Sequence, residues 1–150
     1  ILKYYENVLS SVVTLAFFIP LLADVGGNSG TQASSLIIRA LALGEVTVKD
    51  IATILFKELR VSSLMGIVMG FIGYFFAWAI SGSTAIGMTV ACTLIAVLIM
   101  SSTIGAILPI LGRMCRVDPA VFSAPFITTV VDITALTVYF NVAIRLLNIN

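Results

Sequence analysis

Residues 87–111, GMTVACTLIAVLIMSSTIGAILPIL, contain no charged side chain. A helix needs about 20 mostly apolar residues to cross a hydrocarbon core of roughly 30 Å. This stretch meets that requirement, and it lacks the alternation of apolar and polar positions that a barrel strand would show. Working outward, three further segments qualify: residues 120–144, residues 61–80, and a run over about 7–43 with a Gly-rich interruption at 26–30. Open sheet edges cannot face lipid, so the chain is predicted to be an all-α, polytopic membrane helix bundle with four visible spans. Residues 47–59 place Val48, Ile51, Leu55 and Leu59 at helical spacing, with Lys49, Asp50, Lys57 and Glu58 off that face. That pattern predicts a short amphipathic connector helix, lying on the inner membrane surface or solvated.

Composition agrees with lipid as the solvent. The chain has 60% hydrophobic and 10% charged residues, with a mean hydropathy of +1.17, against about 45–50% and 25% for soluble domains. A net charge of +1 and scattered basic residues give no footprint for nucleic acid. There is no histidine, and Cys92 and Cys115 lack metal-ligand spacing, which argues against zinc. Cys92 reads as a small hydrophobe.

Charge in the loops predicts orientation. Arg39, Lys49, Lys57 and Arg60 flank the first connection, Arg113 and Arg116 the third, and Ser81–Ile86 carries none. By the positive-inside rule the loops at about 44–60 and 112–119 are cytoplasmic and both ends extracytoplasmic. An outside N-terminus with neither Met nor leader leads to the expectation of a preceding span. Gly66, Gly70 and Gly73 offer a face for close helix approach, and the Thr89, Thr93, Ser101, Ser102, Thr103 and Gly105 group reads as interhelical packing.

Ionisable groups inside a membrane are costly and need a partner, a wet cavity or a task. Asp132 lies near the middle of the last span, and the three- and four-residue steps around it collect Thr129, Thr128, Pro125, Ala124 and Ala135 into a small, polar stripe. Pro125 cannot donate to the carbonyl of Val121, which frees that oxygen. A purely structural Asp132, bonded to a neighbouring hydroxyl, is the alternative. In the first span, Asp24, Asn28 and Gln32 recur every four residues, with Thr31, Ser35 and Arg39 on the same side and Gly26, Gly27 and Gly30 between them. Glycines of this kind admit a helix or a hydrated ion close to the backbone, and interrupted spans mark ion sites in transport proteins. Carboxylate, amide and hydroxyl donors are hard ligands, suited to Mg²⁺, Ca²⁺, Mn²⁺ or an alkali cation. One carboxylate per chain is thin for a dication, whereas a two-fold axis beside the last span would pair two copies of Asp132 in a homodimer.

The stretches FIPLL at 18–22, GGNSGTQA at 26–33, RALALGEV at 39–46 and DPAVFSAPFITTVVDIT at 118–134 resemble, in order and spacing, the signature of MgtE-type magnesium channels and transporters. The resemblance covers essentially the whole chain. It implies Mg²⁺ transport through a pore at a homodimer interface, with hydrated Mg²⁺ held by Asp132, by the backbone carbonyl of Thr128 and by Asn28. Asp24, Gly26, Gly27, Gln32, Thr31, Ala124, Pro125, Thr129 and Ala135 would line the same path. It implies five spans in the family, of which the first is absent here, and cytoplasmic regulatory domains outside these residues. Mn²⁺, Ca²⁺ and Co²⁺ are further candidate ions, and Asp24 and Ala124 depart from the expected pattern. Competing readings are an ion-coupled carrier, a structural membrane subunit, and an intramembrane aspartyl hydrolase using Asp24 and Asp132.

Overall fold

The computed structural model describes residues 1–6, 8, 12–121 and 124–148. Among these there are no strands. Four helices follow one another: α1 (Ile19–Leu43), α2 (Ile51–Ser81), α3 (Thr84–Met114) and α4 (Ala124–Leu147). Short 3₁₀ segments at Val13–Phe18, Val48–Asp50 and Pro119–Val121 lead into α1, α2 and α4. All four helices are long and apolar enough to cross a membrane.

Each boundary has a local cause. Pro20 sits in the first turn of α1, where its missing N–H breaks no helical bond. Gly44 and Gly82 close α1 and α2 in left-handed conformations, φ 73° and 66°, that a side chain would strain. Thr47 and Asp50 form a reciprocal capping box before α2, and the Ser83 hydroxyl accepts the Ile86 N–H at the start of α3.

The most apolar helix, α3, is also the most buried. It packs against α2, α1 and α4, while α1 and α4 also pack against each other. Gly66 and Gly70 let α2 lie on the α3 backbone: a Cβ at Gly66 would stand 3.2 Å from Ile95 Cα, and one at Gly70 3.2 Å from the Ala91 carbonyl oxygen. The predicted glycine face is therefore the α2–α3 contact. Opposite it, Leu64, Ile67, Val68, Phe71, Ile72 and Phe75 are exposed, as a lipid-facing surface must be. One apolar cluster joins Leu15, Phe18, Leu22, Val90, Leu94, Tyr139 and Phe140. There the buried Tyr139 hydroxyl donates to the Leu15 carbonyl at 3.0 Å, satisfying the 3₁₀ segment. A second cluster, Ile37, Ile54, Ala106 and Ile110, ties the other end together.

Two expectations need correction. The helix α1 runs unbroken through 26–30, because those glycines are crossing points: a Cβ at Gly26 would stand 2.8 Å from Val97 Cγ1, and one at Gly30 3.0 Å from Val131 Cγ2. In lipid an unbroken ladder is also the cheapest way to satisfy the backbone. The departure from α geometry comes earlier, at Val13–Phe18. No separate connector helix occupies 47–59, since α2 begins at Ile51 and continues as the span. Its most buried positions there are Ile54, Glu58 and Ser62; of the predicted apolar face, Val48 and Ile51 pack on the second cluster and Leu55 is half-buried, while Leu59 is exposed. Pro125 lies in the first turn of α4, where its missing N–H costs that helix no bond. Asn7, Phe122 and Ser123 lie outside the described residues.

Candidate functional site

Along α1, Asp24 and Asn28 stand one turn apart with Gly27 between them, and along α4 Thr128 and Asp132 are likewise one turn apart. The two helices bring these pairs together. Ala23, Asp24, Gly27, Asn28, Thr128 and Asp132 line a cleft of about 290 Å³ on the outside of the bundle. Gly27 sets its depth, since a Cβ there would stand 3.3 Å from Thr128 Cγ2 and 3.8 Å from Asp132 Oδ1. Without that side chain, α1 closes on α4 and the carboxylate keeps open space before it.

Both halves of the cleft reach the same depth. From Asp132 to the end of α4 at Leu147 is about 22 Å at 1.5 Å per residue. From Val13 to Asp24 is about 12 Å of 3₁₀ helix plus about 8 Å of α-helix, roughly 20 Å. Against a core of about 30 Å, the site lies well inside the apolar zone.

The cleft is rich in acceptors. The hydroxyls of Thr128 and Thr129 donate to the Pro125 carbonyl at 3.1 and 2.8 Å, so their oxygens turn lone pairs outward. The Thr128 carbonyl, pointing along α4 toward Asp132, keeps a second lone pair beyond its helical bond. Asp132 is half-buried and Asp24 and Asn28 are exposed. Among the described residues neither carboxylate has a hydrogen-bond partner or a salt bridge, and no lysine or arginine lines the cleft. Two uncompensated carboxylates at membrane depth call for a cation. Among the described residues no three acidic, His or Cys side chains gather into a metal-ligand group. The single chain therefore offers a partial shell, suited to an ion that keeps its water.

The structure groups some of the expected residues and separates others. Asp24, Gly27, Asn28, Thr128 and Asp132 meet in the cleft. Gln32 is exposed further along α1, and Ala124, Pro125 and Thr129 are exposed near the start of α4, flanking it. Gly26 faces Val97, Val131 and Ser101 in the interior. Ala135 is 1% exposed, and the Thr31 hydroxyl is buried without a partner. These three are turned away from the open face: Ala135 because the three-residue step from Asp132 rotates into the buried α4 stripe of Val131, Ala135 and Tyr139, and Gly26 because it lies on the side of α1 that meets α3 and α4. Ala23 was not anticipated as a lining residue; its only signal is adjacency to Asp24. Nor did the sequence suggest the second cleft, of about 430 Å³ at the far end of α1, where Glu45, Asp50 and a buried Glu58 meet Lys57.

Comparison with known proteins bears on this arrangement. The MgtE family, described as divalent cation transporter, matches residues 19–142. The magnesium transporter MgtE of Bacillus subtilis is 38% identical over 143 residues, covering 95% of this chain and 32% of its own length. That of Thermus thermophilus is 38% identical over 149 residues, 98% of this chain and 32% of its own. The Enterococcus faecalis protein of the same name is 28% identical over 143 residues, again 95% and 32%. The chain spans about a third of the length of these curated relatives.

Proposed function

The chain belongs to the MgtE family, and on that premise we propose that residues 1–150 form a membrane-embedded ion path that carries Mg²⁺. The family is one of transporters, which removes the hydrolase reading of Asp24 and Asp132. The observation that carries the proposal is the cleft itself, with two carboxylates, an amide and backbone and hydroxyl acceptors at mid-depth and no basic group to neutralise them.

In this reading two chains face each other across the open side of α1 and α4, and paired Asp132 carboxylates hold one Mg²⁺. The ion keeps most of its hydration shell. Its waters donate to Asp132, to the Thr128 carbonyl and to the Asn28 amide oxygen, so the site selects by width and field strength without stripping the ion. Mn²⁺, Ca²⁺ and Co²⁺ would compete according to their size and hydration. Asp24 adds negative potential at the same level. The exposed row of Gln32, Ser35 and Arg39 continues the polar path toward the basic end, which is cytoplasmic by the positive-inside rule.

The test is Mg²⁺ flux into proteoliposomes carrying the full-length protein, wild type against Asp132→Asn and Asp132→Ala, with Ca²⁺, Mn²⁺ and Na⁺ as competitors. Both variants are expected to lose flux while remaining folded and dimeric. Wild-type flux from a folded Asp132→Ala protein would overturn the assignment.

A further inference from the structure

The α2 helix carries a feature that the ion path does not use. Thr53, Phe56, Lys57, Arg60, Val61 and Leu64 line a shallow groove of about 500 Å³ along its outer face. We infer that this groove binds an anionic phospholipid, with the headgroup phosphate on Lys57 and Arg60 and an acyl chain along Val61, Leu64, Val68 and Phe71.

Depth is the first argument. Residues 61–81 carry no charge and span about 31 Å as a helix, the thickness of the hydrocarbon core. Arg60 is thus the last charged residue before the apolar zone, and Lys57 lies one turn further into the headgroup layer. Below them the helix face is continuous and apolar, with Leu64 and Phe71 each 66% exposed. No described helix covers it.

Charge is the second. No carboxylate lines the groove. Glu45, Asp50 and Glu58 lie in the neighbouring cleft, which Lys57 also borders, so Lys57 is partly shared while Arg60 belongs to the groove alone. The Arg60 guanidinium stands 5.8 Å from the Phe56 ring centroid, which holds the side chain along the helix and leaves its planar fork for a phosphate. A second groove with two arginines, lined by Arg113, Arg116, Val117, Asp118 and Pro119, contains its own carboxylate and serves as a control.

The experiment is native mass spectrometry of the full-length protein titrated with equal amounts of phosphatidylglycerol and phosphatidylcholine. Wild type should retain phosphatidylglycerol preferentially. Arg60→Gln should weaken that preference and Lys57→Gln/Arg60→Gln should reduce it about tenfold or more, whereas Arg113→Gln/Arg116→Gln should not. Both groove side chains are exposed, so the variants should fold. A wild type that retains both lipids equally, or a double variant that keeps the preference, would overturn the inference. Mg²⁺ flux through Asp132 is independent of either outcome.

Discussion

Gly105→Ala tests the helix crossing on which the site depends. In α3, Gly105 lies against Gly30 of α1. A Cβ there would overlap the Gly30 carbonyl oxygen and stand 2.9 Å from its carbon and 3.1 Å from its Cα. All three are backbone atoms in a hydrogen-bonded helix, so no rotamer change relieves them, and α1 must retreat by roughly an ångström in a densely packed contact. The Ser29 and Ser102 hydroxyls, 2.8 Å apart, bracket the same crossing and would separate. Overpacking costs about 1–3 kcal/mol and the lost hydroxyl bond about 1 kcal/mol. Alanine's better helix propensity returns up to about 1 kcal/mol. The net loss is about 1–3 kcal/mol, which at about 2–4 °C per kcal/mol lowers the melting temperature by roughly 2–12 °C. Because α1 carries Asp24, Gly27 and Asn28, Mg²⁺ flux should fall as well. Thermal melting of the full-length protein in detergent, followed by intrinsic fluorescence, reads the first effect and proteoliposome flux the second. Gly73→Ala is the comparison, since its Cβ would meet the end of the Leu94 side chain, which can rotate aside. A Gly105→Ala protein that melts no lower than Gly73→Ala would refute the crossing.

Gly27→Ala should separate stability from transport. Its methyl group needs only a few tenths of an ångström from Thr128 Cγ2 but enters the space before Asp132, so melting should stay within about 1 kcal/mol of wild type while flux drops severalfold; unchanged flux would mean that the cleft is not on the ion path. Orientation can be read with the two exposed cysteines. A membrane-impermeant maleimide should label Cys115, in the loop after α3, only from the cytoplasmic side and should leave Cys92, within the span, unmodified; labelling of Cys115 from outside would invert the topology.

Much was legible in the sequence because lipid leaves few choices. A chain this apolar, with long uncharged runs, must satisfy its backbone within helices. Four spans and the cost of burying Asp132 both follow from that constraint. The family signature at 18–46 and 118–134 pointed to MgtE, and the matched relatives place the chain in that family.

Tertiary packing decided the rest. Whether Gly26–Gly30 breaks a helix or admits a neighbour depends on what faces it, and here Val97, Val131 and the Gly105 backbone fill the space. Helical periodicity assigns residues to a stripe about 100° wide but not to the partner that stripe meets. For that reason Ala135 and Thr128, both one turn from Asp132, are alike in the linear pattern, yet the first is sealed against the bundle and the second opens on the cleft. By the same limit periodicity could not bring Asp24 to Asp132; the family resemblance put them on one path, and they line one cleft because Gly27 lets the two helices approach.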